Sequence, residues 1–436
     1  MPAMNPSTAL PSVPSRRWFI AGLLGCGVLV NYFDRVNLSV AEHALHIEFG
    51  ITTIQFGYLL SAYSWTYALC QLPSGVLLDR FGVRLVGSVS SALWGVATFA
   101  AAAATGLASF FAARLLLGIG EAPTFPANAK AIGLWFPQDE RSLATAIFDS
   151  AAKLGPAIGV PVFGLILINF GWRVSFAATG VLSILYFFAF CTLYRSPGHH
   201  PRLSTAEREW MAQGGAQLEE RHGSETRSSS IWYLLHQRKV LGLVIGFASY
   251  NYCFYLLLTW LPSYLSAAMH VDLRSSVLFS SVPWLIAATT DLALGGWLVG
   301  WFIRRGLNPS SVRRFALVAG TVCGLGILGA AYARTPATAL FWICLSIGGL
   351  SAAAPVGWSI PSLIAPRDSV GKLGGILNFG NQLSAIAAPI VTGYVVSATN
   401  SFAWAFVVAT AFLLFGIAAY LFWLGRIERI PEPIAG

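Results

Sequence analysis

The chain has 436 residues, of which 56% are hydrophobic and 10% are charged, whereas soluble domains carry about 25% charged residues. This composition excludes an ordinary soluble domain and indicates a protein that crosses the membrane many times. The net charge of +9 is spread over the ends of apolar segments, so we interpret it as a sign of membrane orientation. Nucleic acid is not an expected partner.

Apolar segments of about 20 residues, long enough to cross a bilayer, recur along the whole chain. They predict an all-α membrane protein with twelve transmembrane helices at residues 17–38, 53–77, 84–104, 107–129, 142–169, 173–194, 240–268, 275–303, 312–332, 336–360, 372–397 and 403–424. The charged, Ser-containing run 195–239 separates these helices into two groups of six. The predicted organisation is therefore an N-terminal tail 1–15, a first half 16–194, a cytoplasmic loop 195–239, a second half 240–425 and a C-terminal tail 426–436.

Lys and Arg residues are distributed unequally between the two sides of this membrane. If the N-terminus is cytoplasmic, three cations lie on the outer side of the membrane: Arg173, Arg274 and Arg334. Three more lie in the membrane interior: Arg35, Arg114 and Lys153. The other Lys and Arg residues all fall on the cytoplasmic side. The positive-inside rule therefore predicts that both termini are cytoplasmic.

Several classes of site have no signature in the sequence. The six cysteines lie in apolar segments without a CxxC pair or zinc spacing. The phosphate-binding pattern GxxxxGK[ST] is missing as well. We therefore expect no metal and no cofactor, and no ATP as an energy source.

The first helix ends in NYFDRVNLSVA at residues 31–41, which places Asp34 and Arg35 at the end of an uncharged run. A charge at the bilayer centre costs about 2.5 to 3.5 kcal/mol on insertion scales, so such groups are usually paired and functional. The sequence thus predicts a functional role for this pair.

The loop between helices two and three reads GVLLDRFGVR at residues 75–84. Its Gly residues suit a tight turn and its arginines suit the cytoplasmic side, so an ordinary polar turn would also explain it. The pattern is similar to G-x-L-x-D-R-x-G-x-R, the signature of the major facilitator superfamily at this position. The resemblance implies a conformational motif formed by Gly75, Asp79, Arg80, Gly82 and Arg84.

Helix four reads RLLLGIGEAPTFPAN at residues 114–128. Arg114 and Glu121 are two turns apart and share one helix face. Pro123 and Pro126 interrupt the backbone hydrogen bonds of the helix, which membrane helices tolerate where the freed groups are buried or line a water-filled cavity. A purely structural ion pair is the alternative, but we favour a role in a central cavity.

Two further polar features of the spans are left open by the sequence. Asp149 and Lys153 on helix five lie at i and i+4, and they either neutralise each other or leave Lys153 for a substrate. Asp291 on helix eight has no partner within the sequence pattern, and it is either an ion site or faces a neighbouring helix. Exposing the amide groups of Asn378 and Asn381 on helix eleven to lipid would cost free energy, so both side chains should face the interior of the protein.

Within the superfamily, the chain resembles the anion:cation symporters, especially the bacterial proton-coupled sugar-acid permeases of the galactonate and glucarate type. The resemblance covers residues 16 to 424, and the stretches that carry it are 31–41, 114–135 and 374–381. It implies a secondary transporter and not an enzyme.

The resemblance also implies roles for single residues. Arg35 would bind the substrate carboxylate, aided by Tyr32 and Tyr67. Asp34 and Glu121 would carry protons, and Arg114 would hold the ionised Glu121.

The second half would contribute the substrate contacts Trp358 and Asn378, to which we add Asn381. Where sugar-acid permeases offer Gln on helix five and hydroxyls beside the helix-ten tryptophan, this chain has Ala152 followed by Lys153, and a Pro and a Gly. Lys153 is therefore included in the substrate-binding set, because it could admit a second carboxylate or a flatter aromatic acid.

The expected function is proton-coupled uptake of a small organic anion, a sugar acid or related carboxylate, by alternating access, with the proton as coupling ion. The alternatives are a symporter of an aromatic or dicarboxylic acid and an uncoupled anion exchanger or facilitator. Drug efflux, a sensor and a membrane enzyme fit the residues less well. We expect a monomer in a bacterial inner membrane.

Overall fold

The computed structural model describes residues 15–137, 140–218, 230–366 and 369–432, and this part of the chain is almost entirely helical. The predicted tail 1–15 lies outside the described residues except for Ser15, as do residues 433–436 of the C-terminal tail and residues 219–229 of the predicted loop. Within the described ranges, ten helices are long and apolar enough to cross a membrane. Apolar segments form helices in a bilayer because each backbone polar group must find a partner inside its own segment.

The first half of the chain, residues 16–194, folds into seven helices. They are α1 (Arg16–Val40), α2 (Glu42–Phe49), α3 (Thr53–Ala102), α4 (Leu107–Glu121), α5 (Thr124–Trp135), α6 (Arg141–Phe170) and α7 (Trp172–Leu193). Two short helices follow in the connecting loop, α8 (Thr205–Gln213) and α9 (Ile231–Leu235).

The second half, residues 238–424, has nine α-helices and two π-helical segments. The α-helices are α10 (Arg238–Ala267), α11 (Leu273–Phe279), α12 (Ser281–Thr290), α13 (Val299–Arg304), α14 (Pro309–Gly324), α15 (Ile327–Ala331), α16 (Pro336–Ile364), α17 (Val370–Thr399) and α18 (Phe402–Ala419). The π-helical segments are Asp291–Leu298, between α12 and α13, and Tyr420–Leu424, after α18.

Successive spans alternate in direction, which gives the bundle two faces. We call the face that holds the connections at residues 41–52, 103–106, 171, 268–272, 332–335 and 400–401 the distal face. The terminal face is the opposite one, where α1 begins and where residues 194–218 and 230–237 lie.

The α3 segment contains the second and third predicted spans as two helices that meet at a kink at Gly82. The backbone there departs from helical geometry (φ 76°, ψ 166°), a positive-φ conformation that glycine adopts without a steric cost. The expected turn over residues 75–84 is thus corrected to a break at one residue, and residues 75–81 are helical.

The predicted span 107–129 is interrupted at mid-depth. The α4 helix ends at Glu121 and α5 begins at Thr124, because Pro123 lacks the N–H that a continuous ladder requires. The break places the Glu121 carboxyl at the middle of the bundle, inside the protein.

The two halves contact each other closely at the distal face. The Tyr58 hydroxyl lies 3.2 Å from that of Tyr394, and Ser263 donates a hydrogen bond to Glu42. The backbones of α3 and α17 approach so tightly that a Cβ atom on Gly57 would lie 2.7 Å from the carbonyl oxygen of Pro389. These contacts close the distal face.

Candidate functional site

An ion pair between α1 and α4 lies at the centre of the first half. The Arg35 guanidinium approaches the Glu121 carboxylate with Nη2 to Oε2 at 2.7 Å and Nε to Oε2 at 2.9 Å. Both side chains are buried. The second carboxylate oxygen, Oε1, has no hydrogen-bond partner among the described residues. The pair is therefore held by one oxygen only, and it brings together two residues that the sequence predicted for the site.

Three tyrosine rings surround the Arg35 guanidinium. Its Cζ atom lies 4.7 Å from the ring centre of Tyr32, 5.0 Å from Tyr63 and 5.4 Å from Tyr67. Cation–π attraction of this kind contributes about 0.5 to 2 kcal/mol per ring, depending on desolvation. The rings hold Arg35 in place without neutralising its charge.

Tyr63 is a member of this cage that the sequence analysis missed. It precedes Tyr67 by four residues on α3 and so lies on the same helix face, and this spacing was the available signal. The cage therefore combines one ring of α1 with two rings of α3.

Asp34 occupies a separate polar pocket within the first half. Thr98 on α3 donates a hydrogen bond to Oδ1 at 2.8 Å, and Ser183 on α7 donates one to Oδ2 at 3.2 Å. The sequence analysis missed both hydroxyl residues, because Thr and Ser are common in membrane helices as internal hydrogen-bond donors. Asp34 is thus hydrogen-bonded by neutral groups.

In this structure the cation that pairs with Glu121 is Arg35, whereas the resemblance implies Arg114. Arg114 lies on the same helix face as Glu121, but its Nη1 donates to the backbone carbonyl of Asp34 at 3.1 Å, and its guanidinium lies over the Tyr63 ring at 5.2 Å. Two helical turns separate the residues by about 10 Å along the axis, so a neighbouring helix supplies the closer cation. Arg35 holds Glu121, and Arg114 holds α1.

A second buried charge cluster joins the two halves. Lys153 Nζ lies 2.6 Å from Asp149 Oδ2, a contact that the sequence left open, and 3.3 Å from Asp291 Oδ2 in the second half. Asp291 is the first residue of the π-helical segment 291–298. The question that the sequence left open for Asp291 is answered by geometry, since it faces a cation on a neighbouring helix.

The predicted residues of the second half are more dispersed. Trp358 on α16 packs edge-to-face on Phe247, with ring centres 5.2 Å apart, and it is partly exposed. Asn378 on α17 is half-buried. Asn381 is buried, and both polar atoms of its amide lack a partner within the described chain. The contacts found among the described residues do not bring these three side chains to Arg35.

The conformational motif on α3 makes contacts at the terminal face. Asp79 accepts a hydrogen bond from Lys130 Nζ at 2.8 Å, and Lys130 also reaches the carbonyl of Leu78 at 2.8 Å. Arg84 donates to the carbonyl of Cys191 at 3.5 Å, Arg80 is exposed beside the Phe81 ring, and Gly75 is half-buried in the helix. The motif therefore ties α3 to α5 and α7.

The sequence model of the Major Facilitator Superfamily matches residues 24–328. The chain belongs to this superfamily. It is 40% identical to the uncharacterized transporter YybO of Bacillus subtilis, over 95% of both chains.

Several other relatives bear the names of sugar-acid transporters. The chain is 31% identical to a D-galactonate transporter of Escherichia coli O6:H1, over 95% of this chain and 97% of the relative. It is 32% identical to the probable galactarate/D-glucarate transporter GarP of Escherichia coli K12, over 95% and 96% of the two chains.

Solved structures agree with the fold. A bacterial homologue of the human lysosomal transporter Spinster, crystallised in an inward-facing and occupied conformation, superimposes with a TM-score of 0.72 at 16% identity. The match covers 94% of this chain and 97% of that structure. The protein is thus a multi-pass membrane transporter with the twelve-helix fold of the superfamily.

Proposed function

We propose that this protein is a proton-coupled symporter that takes up a small organic anion, a sugar acid or a related carboxylate. The observation that carries the proposal is the ion pair of Arg35 with one oxygen of Glu121. A substrate carboxylate has the same charge and the same planar geometry as the Glu121 carboxylate, and guanidinium groups bind such groups strongly. Substrate and Glu121 would therefore compete for Arg35.

A proton can decide this competition. Burial favours the neutral form of a carboxyl group, whereas a nearby cation favours its ionised form. When Glu121 takes up a proton it releases Arg35, and a substrate carboxylate then takes its place. The buried site keeps the same net charge before and after binding, which limits the cost of crossing a closed state.

Asp34 is the second proposed proton carrier, and Arg114 has a supporting role in this scheme. Asp34 and Arg35 are neighbours on α1, so a change of charge at one is felt by the other over a few ångströms. Arg114 fixes the backbone of α1 at Asp34 and keeps the two carboxyl groups apart. Tyr32 and Tyr67 would border the bound carboxylate as they border Arg35, and the second half would contribute Trp358, Asn378 and Asn381.

Alternating access follows from the two-half architecture. The contacts at the distal face, such as Tyr58 with Tyr394, would part while the terminal face closes around the α3 motif. With the positive-inside distribution, the terminal face is cytoplasmic and the membrane is a bacterial inner membrane. The names of the D-galactonate and galactarate/D-glucarate relatives support a sugar acid as the substrate class.

The test is uptake of radiolabelled galactonate and galactarate by proteoliposomes, with and without an imposed inward proton gradient. We expect wild type to accumulate at least one acid above its external concentration only when the gradient is present, and Arg35→Ala to lose this uptake. Equal, non-accumulating entry with and without the gradient would favour the uncoupled exchanger or facilitator, and would contradict proton symport.

A further inference from the structure

The cluster of Lys153, Asp149 and Asp291 contains more negative than positive charge. One cation faces two carboxylates, so the cluster has one surplus negative charge when both are ionised. The site around Arg35 differs, because its two arginines and two carboxyl groups balance. A surplus buried charge is costly unless it is neutralised, and a bound proton is the simplest way to neutralise it.

Asp291 is the better position for that proton. Its side chain is 3% exposed, whereas that of Asp149 is 20% exposed and in part solvated. The Oδ1 atom of Asp291 is buried and has no hydrogen-bond partner among the described residues. An ionised oxygen in this setting loses its hydration without compensation, and protonation removes that cost.

The backbone at Asp291 is also unusual. The helix changes there from α to π geometry, a change that is frequent at functional sites. The π-helical segment packs tightly on α16, since a Cβ atom on Gly295 would lie 2.5 Å from the carbonyl of Ala352. This packing keeps Asp291 directed at Lys153 across the interface between the halves.

Among the described residues, Lys153 is the one charged side chain of opposite sign that pairs with Asp291. Lys153 and Asp149 of α6 and the Tyr250 hydroxyl of α10 face the cluster. The helices α12 and α16 carry no charged residue in their described sequences, and the one charged residue of α13, Arg304, is exposed in its last turn. Lys153 is therefore the single cation for which the two carboxylates compete in the described part of the cluster.

Tyr32 connects this cluster to the proposed substrate site. Its ring lies beside Arg35, and its side chain packs against α6, the helix that carries Lys153 and Asp149. A Cβ atom on Gly155, two residues after Lys153, would meet the Tyr32 side chain at 2.3 Å. Tyr32 thus lies between Arg35 and the helix that carries Lys153, an arrangement suited to an anion with a negative group at each end.

We propose that Asp291 is a proton-binding carboxyl that controls whether Lys153 is available to the second negative group of a dianionic substrate. Ionised Asp291 holds Lys153 across the interface. Protonated Asp291 no longer holds Lys153, which keeps its contact with Asp149, and the far carboxylate of the substrate takes the position of the Asp291 carboxylate beside Lys153. One proton then accompanies the second carboxylate, so the charge of the cluster stays constant during binding.

This inference rests on the proposed function, and its test uses two probes that differ in one group. Galactonate has one carboxylate and galactarate has two, on the same six-carbon skeleton. Both are fully ionised between pH 6 and 8, because such carboxyl groups titrate at about pH 4 or below. The measured quantity is the ratio of the two dissociation constants for the purified full chain, which cancels the effects of Asp34 and Glu121 that both acids share.

In wild type, the preference for galactarate should fall as pH rises, since Asp291 loses its proton and regains Lys153. Because one proton is linked to binding of the second carboxylate, the ratio of the two dissociation constants can change by at most about tenfold per pH unit. Asp291→Asn should keep a high preference that no longer depends on pH. Asp149→Asn is the matched control: it removes the same charge from the same cation but leaves Asp291, and the pH dependence should remain.

Lys153→Gln should lower the preference for galactarate by about 10-fold to 100-fold, the value of one charged hydrogen bond. The double variant K153Q/D291N removes two opposite charges together and should show the same low preference, so a folding defect of the single variant does not decide the result. The inference would be overturned if the galactarate preference of Asp291→Asn depended on pH as it does in wild type. It would also be overturned if the double variant kept the galactarate preference of wild type. If neither acid binds wild type, the proposed function is overturned with it; if Arg35-dependent galactonate binding persists while these variants have no effect, only the inference is overturned.

Discussion

Replacing Glu121 by Gln tests the exchange of counter-ions at Arg35. The variant keeps the shape of the side chain and removes its charge. Arg35 is buried with Nη2 at 2.7 Å from the Glu121 carboxylate, so the variant leaves a buried cation without its anion. Breaking a buried ion pair in this way costs about 3 to 5 kcal/mol.

The lower end of that range applies here. The amide oxygen of Gln still accepts one N–H of Arg35, and the rings of Tyr32, Tyr63 and Tyr67 remain around the guanidinium. A loss of about 3 kcal/mol corresponds to a factor of about one hundred in an equilibrium constant. A substrate carboxylate that supplies the missing anion should recover much of this loss, so at alkaline pH it should bind Glu121→Gln up to about one hundredfold more tightly than wild type.

The assay combines thermal unfolding with transport. Without ligand, Glu121→Gln should unfold at a lower temperature than wild type, and a transported acid should raise its unfolding temperature by more than it raises that of wild type. In proteoliposomes the variant should exchange labelled for unlabelled substrate but should not accumulate it along a proton gradient. Accumulation by Glu121→Gln, or a smaller ligand-induced stabilisation than in wild type, would refute the reasoning.

The remaining predictions concern two glycines of α3. Gly82→Ala should lower stability by about 1 to 3 kcal/mol, because alanine is strained at a φ of 76°; Gly75→Ala, a helical position with nothing within 4 Å of the added Cβ, is the control and should not destabilise. Equal unfolding temperatures for these two variants would contradict the assigned backbone break. Gly57→Ala should lower stability by about 1 to 3 kcal/mol through overpacking against Pro389 at the distal face; Gly22→Ala, which meets open space, is its control. If Gly57→Ala and Gly22→Ala have equal unfolding temperatures, α3 and α17 do not approach each other as closely at Gly57 and Pro389 as the structure shows.

The sequence predicted the fold because its main signal is composition. Apolar segments of spanning length leave few alternatives to a helical bundle, and the motif at residues 75–84 identified the superfamily. Its detailed prediction at that motif was less accurate. Gly residues suggested a complete turn, but only Gly82 leaves helical geometry, since a membrane helix keeps its backbone hydrogen bonds wherever sterics permit.

Partners across helices were the harder part of the site. Spacing along one helix placed Asp149 within reach of Lys153, and the two are in contact; it also placed Arg114 and Glu121 on one helix face. It could not reveal that Arg35 on α1 reaches Glu121, or that Asp291 lies opposite Lys153. Such contacts depend on how helices are arranged around the bundle, and a period of 3.6 residues contains no information about that arrangement.

The most direct test of the central claim, that Arg35 binds the substrate carboxylate, is thermal stabilisation of the purified protein by a panel of organic acids. The panel comprises aldonates, aldarates, hexuronates, tartrate and phthalate-like aromatic acids, each with wild type, Arg35→Ala and Arg35→Lys. Arg35→Lys retains a cation for Glu121 but lacks the planar fork that binds a carboxylate through two N–H groups. We predict that at least one acid stabilises wild type by mass action and that both variants lose most of this stabilisation; equal stabilisation of all three proteins would contradict the account.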